Sequence, residues 1–320
     1  MKRFFLALAL AACSSSSSGA SSSALPATSV VFVRALDATR SHVVAFDTAT
    51  QQETTIATLD DAGDATDVAI APDRTKIAFL GTFRASGETV KGDTKALWVV
   101  GLDGSSYVRL TPPVAADASL KNEMVDRASP EWTRDGSSVL FVFRTTATGL
   151  DKSTLASAPA GGGAPNQDLG ANADCGAIAS PRFASDGSGM TAILSACAKT
   201  KNGIALYDPQ PAAPTKRIDA TDGAEGPAIV AADGATIYYR EQLGAHAAIV
   251  ARAITGGKTR TIYASPDANV QGFDLSPDGT QIVAGIGGCT IVLVTDLDAA
   301  TPTSTTIATG AGGSCVPAWH

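Results

Sequence analysis

Positive charge is scarce in this 320-residue chain: 24 Lys and Arg stand against 31 Asp and Glu, a net charge of −7. No basic surface is available to displace counterions from a phosphate backbone, which excludes a nucleic-acid partner. No apolar run reaches the ~20 residues that a helix needs to cross a bilayer. There are only three histidines, His42, His246 and His320, and no helical or turn spacing joins them into a metal set. The chain has no Gly-x-Ser-x-Gly elbow and no glycine-rich phosphate loop leading into a helix. Ser188, between two glycines, falls inside a turn repeat and is read as structural. These gaps leave little sign of catalysis, and no cofactor is expected.

The first residues form a targeting segment. Lys2 and Arg3 precede a short apolar run over residues 4–10, then Leu10-Ala11-Ala12-Cys13 and a serine run. This pattern resembles the lipobox of bacterial lipoproteins. The resemblance implies that residues 1–12 are a signal peptide and that Cys13 is lipidated, which anchors the protein to a membrane. Residues 13–24 then read as a Ser-rich tether with a root-mean-square reach of ~20 Å. Ser14, rather than Asp, follows the cysteine, which implies outer-membrane placement in the cell envelope over inner-membrane retention.

The remainder, residues 25–320, is organised around one recurring unit. Phe273-Asp274-Leu275 and Ile282-Val283-Ala284 alternate apolar and polar or small residues about Ser276-Pro277-Asp278-Gly279. Pro277 presets φ at the first corner, and Gly279 accepts the positive φ that closes a hairpin. The turn aspartate recurs as Asp73, Asp135, Asp186 and Asp233, at intervals of roughly 45–60 residues. A second hairpin follows each copy, around Leu102-Asp103-Gly104 and Gly256-Gly257 for example. About four strands per repeat make one blade of an all-β propeller. Cys315-Val316-Pro317-Ala318-Trp319-His320 matches Ala128-Ser129-Pro130-Glu131-Trp132, the start of a repeat. The first strands, around residues 30–33, 42–46 and 54–57, read as a blade without its innermost strand. The two ends are therefore expected to share one blade and close a six-bladed ring.

The repeats resemble the TolB-like, or PD-repeat, six-bladed propellers. Ala71-Pro72-Asp73, Pro130-Glu131-Trp132, Pro181-Arg182-Phe183, Asp233-Gly234, Ser276-Pro277-Asp278-Gly279 and Pro317-Ala318-Trp319 carry the resemblance. TolB itself carries an α/β domain before its propeller, and residues 25–320 show none. Membership of a Tol–Pal type machine is not implied. One copy departs from the pattern: Arg74 stands where Gly is expected. A non-Gly residue in the left-handed region costs ~1 kcal/mol, so Arg74→Gly is predicted to stabilise the domain.

Four cysteines remain after Cys13, and an even number in an exported chain reads as disulfides. Three pairings are open. Cys175 and Cys197 bracket the third hairpin symmetrically and would face each other across it. Cys289 and Cys315 fall on one rim in adjacent blades. The expected pairs are Cys175–Cys197 and Cys289–Cys315.

Carboxylates gather in the connections between blades, which share one rim with the loops between the second and third strands of each blade. Asp60, Asp61, Asp64 and Asp67 lie in the first connection, and Asp222 and Glu225 in a later one. The longest connection, residues 111–128, supplies Lys121, Glu123, Asp126 and Arg127. Trp132 beyond it reads as blade-packing core. This rim is the candidate surface for an unknown protein or envelope component. The expected function is a monomeric, non-catalytic, lipid-anchored binding or scaffold module. The competing reading is a metal-dependent lactonase or lyase with its site in the central channel. That reading needs clustered acid–base or metal ligands, whereas inner-strand positions are mostly Ala, Val, Ile and Phe.

Overall fold

The computed structural model describes residues 24–37, 39–60, 65–81, 96–111, 124–147, 150–167, 175–184, 189–199, 202–207, 216–219, 224–309 and 316–319. Their strands form six antiparallel sheets. Blade one holds β1 (Ser29–Ala35), β2 (Arg40–Asp47) and β3 (Gln52–Asp60). Blade two holds β4 (Thr66–Ile70), β5 (Lys76–Gly81), β6 (Ala96–Gly101) and β7 (Tyr107–Arg109). Blade three holds β8 (Met124–Trp132), β9 (Ser138–Ala147), β10 (Leu150–Pro159) and β11 (Asn166–Gln167). Blade four holds β12 (Cys175–Phe183), β13 (Met190–Cys197), β14 (Gly203–Tyr207) and β15 (Lys216–Asp219). Blade five holds β16 (Ala224–Val230), β17 (Thr236–Leu243), β18 (His246–Ala253) and β19 (Arg260–Ala264). Blade six holds β20 (Val270–Leu275), β21 (Ile282–Ile286), β22 (Thr290–Thr295) and β23 (Thr303–Thr309).

The predicted turn joins the first two strands of a blade. Gly279 N donates to Ser276 O at 2.8 Å, and Gly279 has φ 72°. Asp278 Oδ1 accepts from the Thr280 amide and hydroxyl and from the Ser276 hydroxyl. One carboxylate thus satisfies several donors that the reversal would leave open. Asp135-Gly136 and Asp233-Gly234 repeat the arrangement. The copy at Asp186-Gly187 lies outside the described residues.

Period-two alternation then builds the core between blades rather than within them. In β5, Ile77 and Phe79 pack toward blade one, and Ala78 and Leu80 toward blade three. Both faces of such a strand are buried, so it reads as an unbroken apolar run. The outermost strands β3 and β23 bury little and carry threonines instead. Six apolar clusters fill the successive interfaces: one–two, two–three, three–four, four–five, five–six and six–one. The last sets Val30, Phe32 and Phe46 against Val283 and Ile291, with Trp319 among them.

Residues 316–319, from the other end of the chain, lie beside β1. Val31 and Ala318 exchange two backbone hydrogen bonds, each 2.8 Å, which adds residues 316–319 to the inner edge of β1. Gly272 makes room: a Cβ there would meet Val316 Cγ1 at 2.7 Å. The Trp319 indole donates to Ala27 O at 2.9 Å, and its amide to Asp274 Oδ2 at 2.7 Å.

Arg74 has the positive φ that its place in the turn demands, 57°. Its side chain, however, makes bonds that glycine could not, which weigh against the backbone strain behind the expectation that Arg74→Gly stabilises. Nε donates to Leu25 O at 2.9 Å, and Nη1 to Trp319 O at 2.9 Å. Nη2 donates to Pro26 O at 2.7 Å and Ser29 O at 3.0 Å. One guanidinium fork therefore holds both ends of the ring. Burial draws its pKa down, opposed by the charge of Asp274.

Candidate functional site

The first strand of each of blades two to six carries a β-bulge. The pairing slips at Thr66/Val68, Ala128/Glu131, Ala179/Arg182, Ala224/Ala228 and Val270/Gly272. Asp67, Ser129 and Ser180 take up the extra residue with positive φ of 34°, 51° and 49°. A bulge lets the strand continue past the kink. This corrects the reading of the rim as loops. Asp126 and Arg127 are strand residues of β8, opposite Arg144 and Phe143, and Glu225 lies in β16. Asp60 is the exposed last residue of β3, and Asp67 belongs to β4.

Asp67 is also committed: its carboxylate accepts from the Ser129 amide at 3.2 Å, which joins the bulges of blades two and three. The predicted rim residues Asp61, Asp64, Lys121, Glu123 and Asp222 lie outside the described residues, as does the lipidation site Cys13. Of the expected rim residues, the structure describes Asp60, Asp67 and the strand positions of Asp126, Arg127 and Glu225.

The inner strands hold charges that the sequence reading overlooked. Glu131, Arg182 and Asp274 each stand four residues before a turn aspartate, and all are buried. Glu131 pairs with Arg182 of the next blade at 3.5 Å and accepts from the Phe183 amide at 3.2 Å. Asp274 treats the Trp319 amide in the same way. Two carboxylates in equivalent places thus each accept the backbone N–H of the inner strand that follows. The shared offset from the turn was the available signal. Trp132 is core, as expected, and its indole donates to Ala69 O of blade two at 3.1 Å.

Glu241 in β17 is buried as well, and burial raises its carboxyl pKa against the opposing charge of Arg252. Among the described residues, no group of three or more His, Cys, Asp or Glu is arranged to hold a metal. Cys175 and Cys197 are cross-strand partners and form a disulfide, as expected. Cys289 is disulfide-bonded, while Cys315, its expected partner, lies outside the described residues.

Two cavities flank the closing seam. One, of 570 Å³, is lined by Arg34, Leu36, Glu53 and residues 306–309. The other, of 350 Å³, lies beside the turn of blade six and is lined by Thr28, Thr48, Asp278, Gln281 and Trp319. In the first, Arg34 forms a bidentate pair with Glu53, so its charge is already answered.

No protein-family model matches the chain, and no curated protein matches it. Solved structures do. TolB from Acinetobacter baumannii superposes with TM-score 0.62 at 18% identity, covering 91% of this chain and 66% of that one. The chain thus spans just under two thirds of that TolB. The β-propeller domain of the Trilobed protease from Pyrococcus furiosus gives TM-score 0.51 at 14% identity, covering 88% and 78% of the two chains. An oligogalacturonate lyase from Vibrio parahaemolyticus gives 0.53 at 12%, covering 86% and 73%. At these identities the likeness shows the fold, a β-propeller.

Proposed function

We propose that the protein is an exported, lipid-anchored propeller that binds a protein or another envelope component through the face carrying the inter-blade connections, without catalysis. The observation that carries this reading is the commitment of the inner-strand charges. Glu131, Arg182 and Asp274 are bonded within the blades or across their interfaces, and Arg74 and Arg240 donate to carbonyls of other blades. A general acid or base must face substrate with a lone pair or proton to give. These groups face their neighbours instead, so they act as staples of a rigid scaffold.

The address rests on two supports. The segment from Lys2 to Cys13 has the order basic, apolar, lipobox. The Cys175–Cys197 disulfide suits an oxidising compartment. TolB likeness agrees with an envelope protein, and Ser14 favours the outer membrane. A second reading keeps one observation: Glu241, a buried carboxyl with a raised pKa, is the kind of group a channel enzyme would use.

The test is capture by the full chain from a detergent-solubilised native envelope, with and without a chelator. One partner recovered at equal stoichiometry supports the binding module, and its loss with chelator brings a cation into the interface. Turnover of a lactone or an acidic oligosaccharide that Glu241→Gln abolishes overturns the non-catalytic reading.

A further inference from the structure

The N-terminal segment enters the ring at a fixed place. Leu25 N donates to Arg74 O at 2.9 Å, and the carbonyls of Leu25, Pro26 and Ser29 all accept from the Arg74 guanidinium. Ala27 O accepts from the Trp319 indole. Arg74 sits in the turn between β4 and β5. Ala27 and Thr28 line a cavity with Pro277 and Asp278 of the corresponding turn in blade six. Leu25 is therefore held on the face made by the first and third turns of the blades. In an antiparallel blade that face is opposite the one made by the second turns and the inter-blade connections.

We infer that the tether leaves from the first-turn face, so that this face is turned to the membrane and the inter-blade face is presented to a soluble protein partner. The inference rests on the lipid-anchor reading. Its physical basis is length. For a Ser-rich segment of this length the expected root-mean-square reach is ~20 Å. Blade strands of eight to ten residues, such as β17 and β10, are ~27–34 Å long. To bring the inter-blade face to the lipid, the tether would have to run the full height of a blade, close to its extended limit of ~40 Å. The membrane-side turns carry Asp73, Asp135, Asp233 and Asp278, all held ionised by the donors around them.

The experiment uses the full lipidated chain on phosphatidylcholine vesicles that contain a nitroxide-headgroup lipid. A fluorescent amino acid is placed at position 299, in the exposed turn between β22 and β23, or at position 267, in the exposed connection into blade six. Quenching at 299 is expected to exceed that at 267 at least twofold. Equal or reversed quenching in protein that floats with the vesicles overturns the orientation and leaves the anchor intact. Failure of the unmodified chain to float, or flotation undiminished by Cys13→Ser, overturns the anchor reading and the orientation with it.

Discussion

Trp132 and Trp319 occupy the same place in two seams of one ring. Each stands at the end of an inner-strand motif and each is buried; the Trp132 indole donates to Ala69 O of the preceding blade, and the Trp319 indole to Ala27 O just ahead of β1. Their strands differ. Trp132 ends a strand that pairs with β9 along most of its length, whereas the described part of the Trp319 segment, residues 316–319, joins β1 through the bridge at Ala318. Where covalent continuity is missing, side chains take over: Arg74 ties Trp319 O, and Asp274 ties its amide. The comparison teaches that, where the chain is not continuous, polar bonds to the meeting segments do what covalent connection does elsewhere in the ring.

The largest break of this comparison comes from the tryptophans themselves. Trp319→Ala and Trp132→Ala should each cost about 3–5 kcal/mol, read from urea midpoints. Only Trp319→Ala should speed amide exchange at Val31, whose N–H bonds to Ala318. Equal protection of Val31 in both variants would mean that the two seams are held alike.

Blade four offers a covalent contrast. Its first two strands are tied by Cys175–Cys197, which closes a loop with a sequence separation of 22. Replacing both cysteines by serine should cost about 3 kcal/mol by the chain-entropy estimate. A change near zero in the urea midpoint would show that the β12–β13 ladder already restrains the unfolded chain.

The third test exchanges two turn residues. Arg74→Gly relieves ~1 kcal/mol of backbone strain but removes four donor bonds from a charged group, so a net loss of about 2 kcal/mol is expected. Gly279→Arg meets no blocking atom, since Ala232 Cβ stands 3.7 Å from a built Cβ, and should cost about 1 kcal/mol through φ alone. A melting temperature that rises for Arg74→Gly would return the turn to the simple propensity argument.

The smallest effect is acid sensitivity. The Ser137 amide, with the Thr133 and Ser137 hydroxyls, lowers the Asp135 pKa to about 2. A depressed folded pKa contributes stability that is present above the ordinary aspartate value of ~3.9 and lost as pH falls through about 2. Asp135→Ala should lower stability above that window, flatten its dependence on pH across the window and leave the slope on the alkaline side unchanged. An unchanged acid limb would assign acid unfolding to other carboxylates.

The hairpins were legible because their chemistry is local. Asp278, Gly279 and the flanking apolar residues specify the turn within a few positions, and repetition makes the count. The place of residues 316–319 beside β1 was legible because Pro317-Ala318-Trp319 copies Pro130-Glu131-Trp132. The partners of Arg74 were not, since they lie 45–49 residues before it and 245 after it in sequence. Glu131 and Arg182 look like surface residues in isolation, and each becomes interior only when the next blade arrives. Asp126, Arg127 and Glu225 were read as loop because a bulge, which carries no fixed composition, prolongs the inner strands.

The 2.9 Å bond between the Trp319 indole and Ala27 O also bears on how the ring can be cut. Two segments nearly three hundred residues apart in sequence are neighbours here, so a short linker from residue 319 to residue 27 would bridge them. New ends placed in the exposed β17–β18 turn at 244–245 would leave all six interfaces in place. Such a circular permutant makes the Ala27–Trp319 seam covalent and moves the break in the chain to blade five. In architecture the ring has no first blade, and its reading order is a property of the gene rather than of the fold.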